Sequence, residues 1–159
     1  MSDRLKAALL PLLKFGFFPL MRIKRGLTLG VRGVVFDDEG RVLLVRHSYA
    51  PGWTFPGGGV ERGEPAEMAL ARELQEEAGI IVAGRPQLHG IFANFAALAG
   101  DHVIVYVVRS WDMPNGPATG LEIVEQGFFA PGALPDTTSA GARRRLAEID
   151  RGGPVSASW

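Results

Sequence analysis

Residues 58–80 read GGVERGEPAEMALARELQEEAGI, and they decide how the rest of the chain is to be read. Pro65 suits a first helical position, where a missing N–H costs nothing, and Gly79 suits the left-handed residue just past a helix end. Between them Ala66 to Ala78 holds no glycine, no proline and no β-branched residue, which predicts a helix of about four turns. On that helix Glu73, Glu76 and Glu77 stand at i, i+3 and i+4, so their carboxylates project from one face within about 6 Å of each other. Leu70, Leu74 and Ala78 form an adjoining row suited to packing on a sheet.

Three like charges so close repel, and a structural helix gains nothing from them. A hard divalent cation removes the conflict, because Mg²⁺ takes carboxylate and water oxygens and is commonly shared with substrate phosphates. Taken alone, the row reads more readily as a solvated acidic face. In front of it, however, Gly57-Gly58-Gly59 lets backbone approach a ligand or metal without Cβ interference.

In full, the segment is Gly58, five residues, Glu64, seven residues, then Arg72-Glu73-Leu74-Gln75-Glu76-Glu77-Ala78-Gly79-Ile80. It resembles the Nudix signature G-x5-E-x7-R-E-U-x-E-E-x-G-U, U being aliphatic, with all nine specified places matched over 23 residues. The resemblance implies an α/β/α sandwich with a mixed sheet and a Mg²⁺-dependent hydrolase, Mn²⁺ being the alternative metal. Its reaction would cut a phosphoanhydride bond in a nucleoside diphosphate linked to another group: a nucleoside triphosphate, a nucleotide sugar or a CDP-alcohol. By the same resemblance Glu73, Glu76 and Glu77 match metal-binding glutamates, Glu73 also serving as a candidate general base. Arg72 matches an arginine that orients a glutamate, and Glu64 the acidic residue that opens the loop-helix unit. A later glutamate often completes such sites; Glu122 is the first candidate and Glu125 the reserve. The rival reading is a catalytically silent Nudix domain used as a ligand sensor or scaffold, although such domains usually lose signature residues.

Outward from this stretch, Leu29 to Phe36 and Arg41 to Arg46 are β-rich runs, and Asp37-Asp38-Glu39-Gly40 between them reads as a hairpin turn. A brief strand is expected around Trp53 to Phe55. Ile80 to Val82, Gln87 to Phe92, His102 to Val108 and Ile123 to Phe129 follow as strands, the run ending at Val108 so continuously apolar that it should be central. Trp111 to Gly120 reads as loop. A second helix is expected from Ser139 to Asp150, its Arg143-Arg144-Arg145 run a solvated face. His47, Trp53, Gly58, Gly59, Asn94 and Phe95 are the candidate substrate contacts, aromatics offering stacking and asparagine hydrogen bonds; core packing is the competing role for Trp53.

Residues 1–25 lie outside the resemblance and read as an apolar, basic, helical appendage to a domain of residues 26–159. Six basic residues (Arg4, Lys6, Lys14, Arg22, Lys24, Arg25) face Asp3 alone there, so in a chain of zero net charge the remainder carries the opposite excess. Its apolar runs fall short of the ~20 residues that span a bilayer, and Pro11, Gly16 and Pro19 interrupt them. Packing on its own domain or a homodimer contact is favoured over a peripheral membrane contact. With 47% hydrophobic and 21% charged residues the composition is that of an ordinary globular domain. Zero net charge argues against specific nucleic-acid binding. The absence of cysteine excludes disulfides, thiolate metal sites and cysteine nucleophiles, and a cytoplasmic setting is expected.

Overall fold

The computed structural model describes residues 26–118 and 122–159; the predicted helical segment 1–25, with its packing, dimer and membrane readings, lies outside the described residues. Among the latter the order is β1 (Thr28–Val35), β2 (Val42–His47), β3 (Trp53–Thr54), α1 (Ala66–Ala78), β4 (Ile81–Val82), β5 (Gln87–Ala93), β6 (Asp101–Val108), β7 (Trp111–Asp112), β8 (Ile123–Phe129) and α2 (Ala140–Arg151). β6 lies between β1, parallel to it, and β5, antiparallel, which makes a mixed sheet. β2 lies between β3 and β8 in a second, antiparallel sheet.

The alternation of β6 explains its central place. Ile104, Tyr106 and Val108 join Val31 and Val35 of β1 and Ala69, Leu70, Leu74 and Ala78 of α1 in one core. Val103, Val105 and Val107 turn the other way, toward Val34, Leu44, Phe55, Phe92 and, from α2, Ala142 and Leu146. A strand apolar on both faces needs cover on both faces, and the two helices supply it. The expected α/β/α arrangement is therefore observed. Gly33 lets α1 come close: a Cβ there would lie 2.9 Å from Leu74 Cδ2.

Several local expectations shift. Asp37 to Gly40 does turn, with the Gly40 N–H donating to the Asp37 carbonyl at 3.0 Å, but it joins no simple hairpin. β1 leaves for β6 and β2 for the other sheet, with one bridge, Phe36 to Val42, holding their adjacent ends. Pro65 caps α1 in an extended conformation, one place before the helix, while Gly79 (φ 71°) ends it as expected. Trp111–Asp112, expected as loop, pairs with Ile81–Val82, because the Trp111 indole donates to the Phe36 carbonyl at 2.8 Å and stacks on Phe128.

The arginine run of α2 is not uniformly solvated. Ser139 caps the helix by accepting the Ala142 N–H, and Arg143 and Arg144 are exposed, but Arg145 is fully buried. Three places after Ala142, it falls on the face that meets the core. Its guanidinium lies 4.0 Å from the Phe92 ring centre, donates to Glu148 Oε1 at 2.8 Å and to the Ser158 carbonyl at 3.0 Å. Its Nε is 2.7 Å from Glu148 Oε2, at an angle that gives an ion pair without a hydrogen bond. Residues 156–159 are thereby clipped to the body, where Trp159 packs on Phe92 and donates its backbone N–H to the Ala93 carbonyl, while the Ala93 N–H donates to the Ala157 carbonyl.

Candidate active site

The loop before α1 is hung on β1. Val31 N–H donates to the Gly58 carbonyl at 2.8 Å, Gly33 N–H to Pro56 at 2.9 Å, and Val60 N–H to Leu29 at 2.8 Å. Gly57 (φ 139°) lies so close to β1 that a Cβ would stand 2.1 Å from the Val31 carbonyl oxygen, so no other residue fits there. This approach aims the Gly57 N–H at Glu77 Oε2, 2.7 Å away.

Glu77 is buried, and its second oxygen lies 2.7 Å from Nε2 of His47, itself buried at the end of β2. An ionised carboxylate only accepts, so His47 donates from Nε2 and the Glu77 carboxylate is held from both ends. The structure thus corrects the expectation that His47 faces substrate: its ring is covered and its nitrogen is committed to Glu77. The inward alternation Leu43, Val45, His47 on β2 was the available signal.

Arg72 gathers the other acids. Its Nε donates to Glu64 Oε1 at 3.0 Å, one terminal nitrogen to Glu64 Oε2 and to the Gly59 carbonyl at 3.1 Å each, and the other to Glu73 Oε1 at 2.7 Å and Glu76 Oε2 at 3.4 Å. The Glu64 hydrogen bond, then that of Glu73, raises the guanidinium above its ordinary value, and Arg72 in turn lowers Glu64. Glu73 is pushed the other way: burial raises its carboxyl more than Arg72 lowers it, and the charges of Glu77 and Glu76 add to the rise. Its carboxylate occupies the space a Cβ on Gly58 would fill, 2.5 Å from that position, so a larger residue there would push the Glu73 carboxylate aside. Glu76 is mostly exposed.

Four carboxylates here face one guanidinium and one histidine. Among the described residues no three histidine, aspartate or glutamate side chains already converge as a metal cage. The donor set nonetheless suits a hard cation, being oxygen throughout, with lone pairs remaining on Glu73, Glu76 and Glu77 beyond those used in hydrogen bonds.

Glu122 is exposed on the bend before β8, its carbonyl accepting the Ser48 N–H at 2.8 Å. The phenol of Tyr49 next door is raised first by desolvation, then by the charges of Glu77 and Glu122, with Glu73 further down. Glu77 and Glu122 thus both bear on the Tyr49 phenol. Glu125 is committed elsewhere, to Arg46 at 2.8 Å. Trp53 is buried edge-on against Phe129 in the α2-side core, which corrects its reading as a base contact. Asn94 closes its own loop through Asp101 Oδ2 at 2.8 Å, and Phe95 is exposed with its ring edge on His102. Gly59, bridged to Gly30, leaves open space at its Cα. Tyr49 and Arg32, whose guanidinium donates to the Gly57 carbonyl, were not singled out by sequence; neither carries a motif.

A family model described as the NUDIX domain matches residues 26–149. The MutT-like protein of Streptomyces ambofaciens is 39% identical over 128 residues, 80% of each chain. The uncharacterized Nudix hydrolase YvcI of Bacillus subtilis (strain 168) is 36% identical over 74 residues, so that this chain spans about half the length of that relative, 46%. The crystal structure of a MutT NUDIX hydrolase from Burkholderia pseudomallei superposes with a TM-score of 0.64 at 29% identity, covering 77% of this chain and 97% of that one.

Proposed function

The chain belongs to the Nudix family, and on that premise we propose that it is a divalent-metal-dependent pyrophosphohydrolase acting on a nucleoside diphosphate linked to a further group. The observation that carries this reading is the acidic row of α1 with its supports intact: Glu77 fixed by His47 and Gly57, and Glu73 cradled at Gly58 and held by Arg72. Glu73, Glu76 and Glu77 would hold Mg²⁺ or Mn²⁺. When bound, the metal supplies neutralisation of phosphate oxygens and a more acidic water.

The chain's own residues do the rest. Glu64 anchors Arg72, and Arg72 orients Glu73 and Glu76. Glu73, seated against Gly58 and held by Arg72, is the candidate acceptor for the proton of the attacking water. The amides and carbonyls of the Gly57–Gly59 loop keep the row aligned, and positioning of this kind is most of what phosphoryl transfer asks of a protein. Nucleoside triphosphates, nucleotide sugars and CDP-alcohols are the substrate classes to try. Screening the protein against such a panel with Mg²⁺, following phosphate after phosphatase coupling, should give turnover that chelation abolishes. Binding without turnover across the panel would favour the silent-domain reading.

Glu122 completes this site from its bend. Glu122→Gln is expected to lower kcat about tenfold or more, whereas Glu125→Gln, which loses only an exposed ion pair worth about 0–1 kcal/mol, should leave kcat within about twofold. Steady-state kinetics on the substrate found by the panel checks this; equal effects of the two changes would remove Glu122 from the site.

A further inference from the structure

On the α1 side, the mixed sheet carries an apolar strip that α1 does not cover. Ile91 pairs with Ile104 and Leu29 with His102, and partners in adjacent strands project to the same side. Ile104 belongs to the α1-side core, so Ile91 faces that way too, but α1 packs on β1 and Ile91 is 56% exposed. Phe95 sits edge-on to His102, 58% exposed, Leu27 and Leu29 continue the strip at the start of β1, and the exposed Leu98 lies in the turn that joins β5 to β6. Several large apolar side chains left exposed at one end of a sheet mark a surface meant to be covered.

The chain itself offers the cover. Residues 1–25 join the body at Gly26, which touches the Gly100 turn beside Leu27, the first member of the strip. They carry Leu9, Leu12, Leu13, Phe15, Phe17, Phe18 and Leu20, and a positive excess of five that complements the negative excess of the rest. The stretch from Gly26 back to Leu20 reaches up to about 20 Å when extended, twice the roughly 10 Å that separates β1 from β5 across β6. We propose that residues 1–25 lie across this strip, their leucines and phenylalanines covering Leu27, Leu29, Ile91, Phe95 and Leu98 of the same chain. Phe95 is then a docking residue and not the base contact expected from sequence.

The absence of cysteine makes the test direct in the full-length chain. Phe17→Cys is combined with Ile91→Cys, or with Val124→Cys on β8 of the other sheet, and disulfide formation is followed under mild oxidation. Series with Leu13→Cys and Leu20→Cys in place of Phe17→Cys allow for the register of the segment. The proposal expects at least one Ile91→Cys pair to close within a single chain about tenfold or more faster than its Val124→Cys counterpart, independently of protein concentration. Equal rates in all series overturn it. So do disulfides that link two chains, which would make a second copy the occupant. Loss of the fast reaction on adding phosphatidylglycerol vesicles, with the protein floating with them, assigns the segment to a membrane surface and also overturns it.

Discussion

Glu77→Gln is expected to reduce kcat by about 10²- to 10⁴-fold while leaving the fold standing, because the change removes the charge on which metal binding rests and almost nothing of the shape. The glutamine oxygen still accepts the Gly57 N–H. Its amide can donate to His47 Nε2 once the imidazole carries its proton on Nδ1, so no buried donor is stranded. Steady-state kinetics beside a thermal melt tests the claim. Wild-type turnover in Glu77→Gln would dismiss the assignment, and a collapse of the melt would make Glu77 a structural residue.

The largest effect on stability is expected far from the signature residues, at Arg145. Arg145→Ala leaves Glu148 buried without its cation and unclips residues 156–159, and breaking one partner of a buried pair typically costs about 3–5 kcal/mol. In a chain of this size that lowers Tm by about 10 °C. The double change Arg145→Met, Glu148→Met, which removes both charges and keeps the volume, should recover most of the loss. Recovery no better than the single change would show that the two residues do not act as a pair. Glu148 also predicts an acid limit. Burial raises its carboxyl, but Arg145, the Ser156 N–H and His89 together hold it below the ordinary glutamate value. Its contribution is therefore complete above the unfolded-state value and lost as pH falls through the lower folded-state value. Denaturant melts of the wild type should weaken on acidification below about pH 4.5, and Arg145→Met, Glu148→Met should flatten that part of the curve.

Local chemistry was legible in the sequence and long-range pairing was not. Gly79 and the gap-free run before it placed the end of α1, Ser139 placed the start of α2, and the unbroken apolar run to Val108 placed β6 at the centre. Each of these signals is carried by neighbouring residues. The departure of β1 for β6 depends on residues about seventy places apart, which leave no mark on either strand. His47 meets Glu77 across thirty positions, and a histidine near a glycine-rich loop has the same appearance whether it turns toward substrate or toward the core. Arg145 was hidden by its neighbours: three arginines in a row read as one solvated surface, although a helix turns each to a different side. Trp111–Asp112 is too short for periodicity to register.

The parallel pairing of β1 with β6 also sets an order of assembly. The glycine loop that aims the Gly57 amide hangs on β1, and β1 has β6 as its neighbour in the mixed sheet, the Thr28 side chain meeting that of Asp101 seventy-three residues away. A contact of that span closes late, because the loop entropy is lost before the pairing repays it. Helix α1 can form early by local propensity, but its acids acquire their supports only when the chain has folded back as far as residue 108. Recovery of activity on refolding should therefore trail the recovery of helical signal and coincide with the slow closure of the sheet.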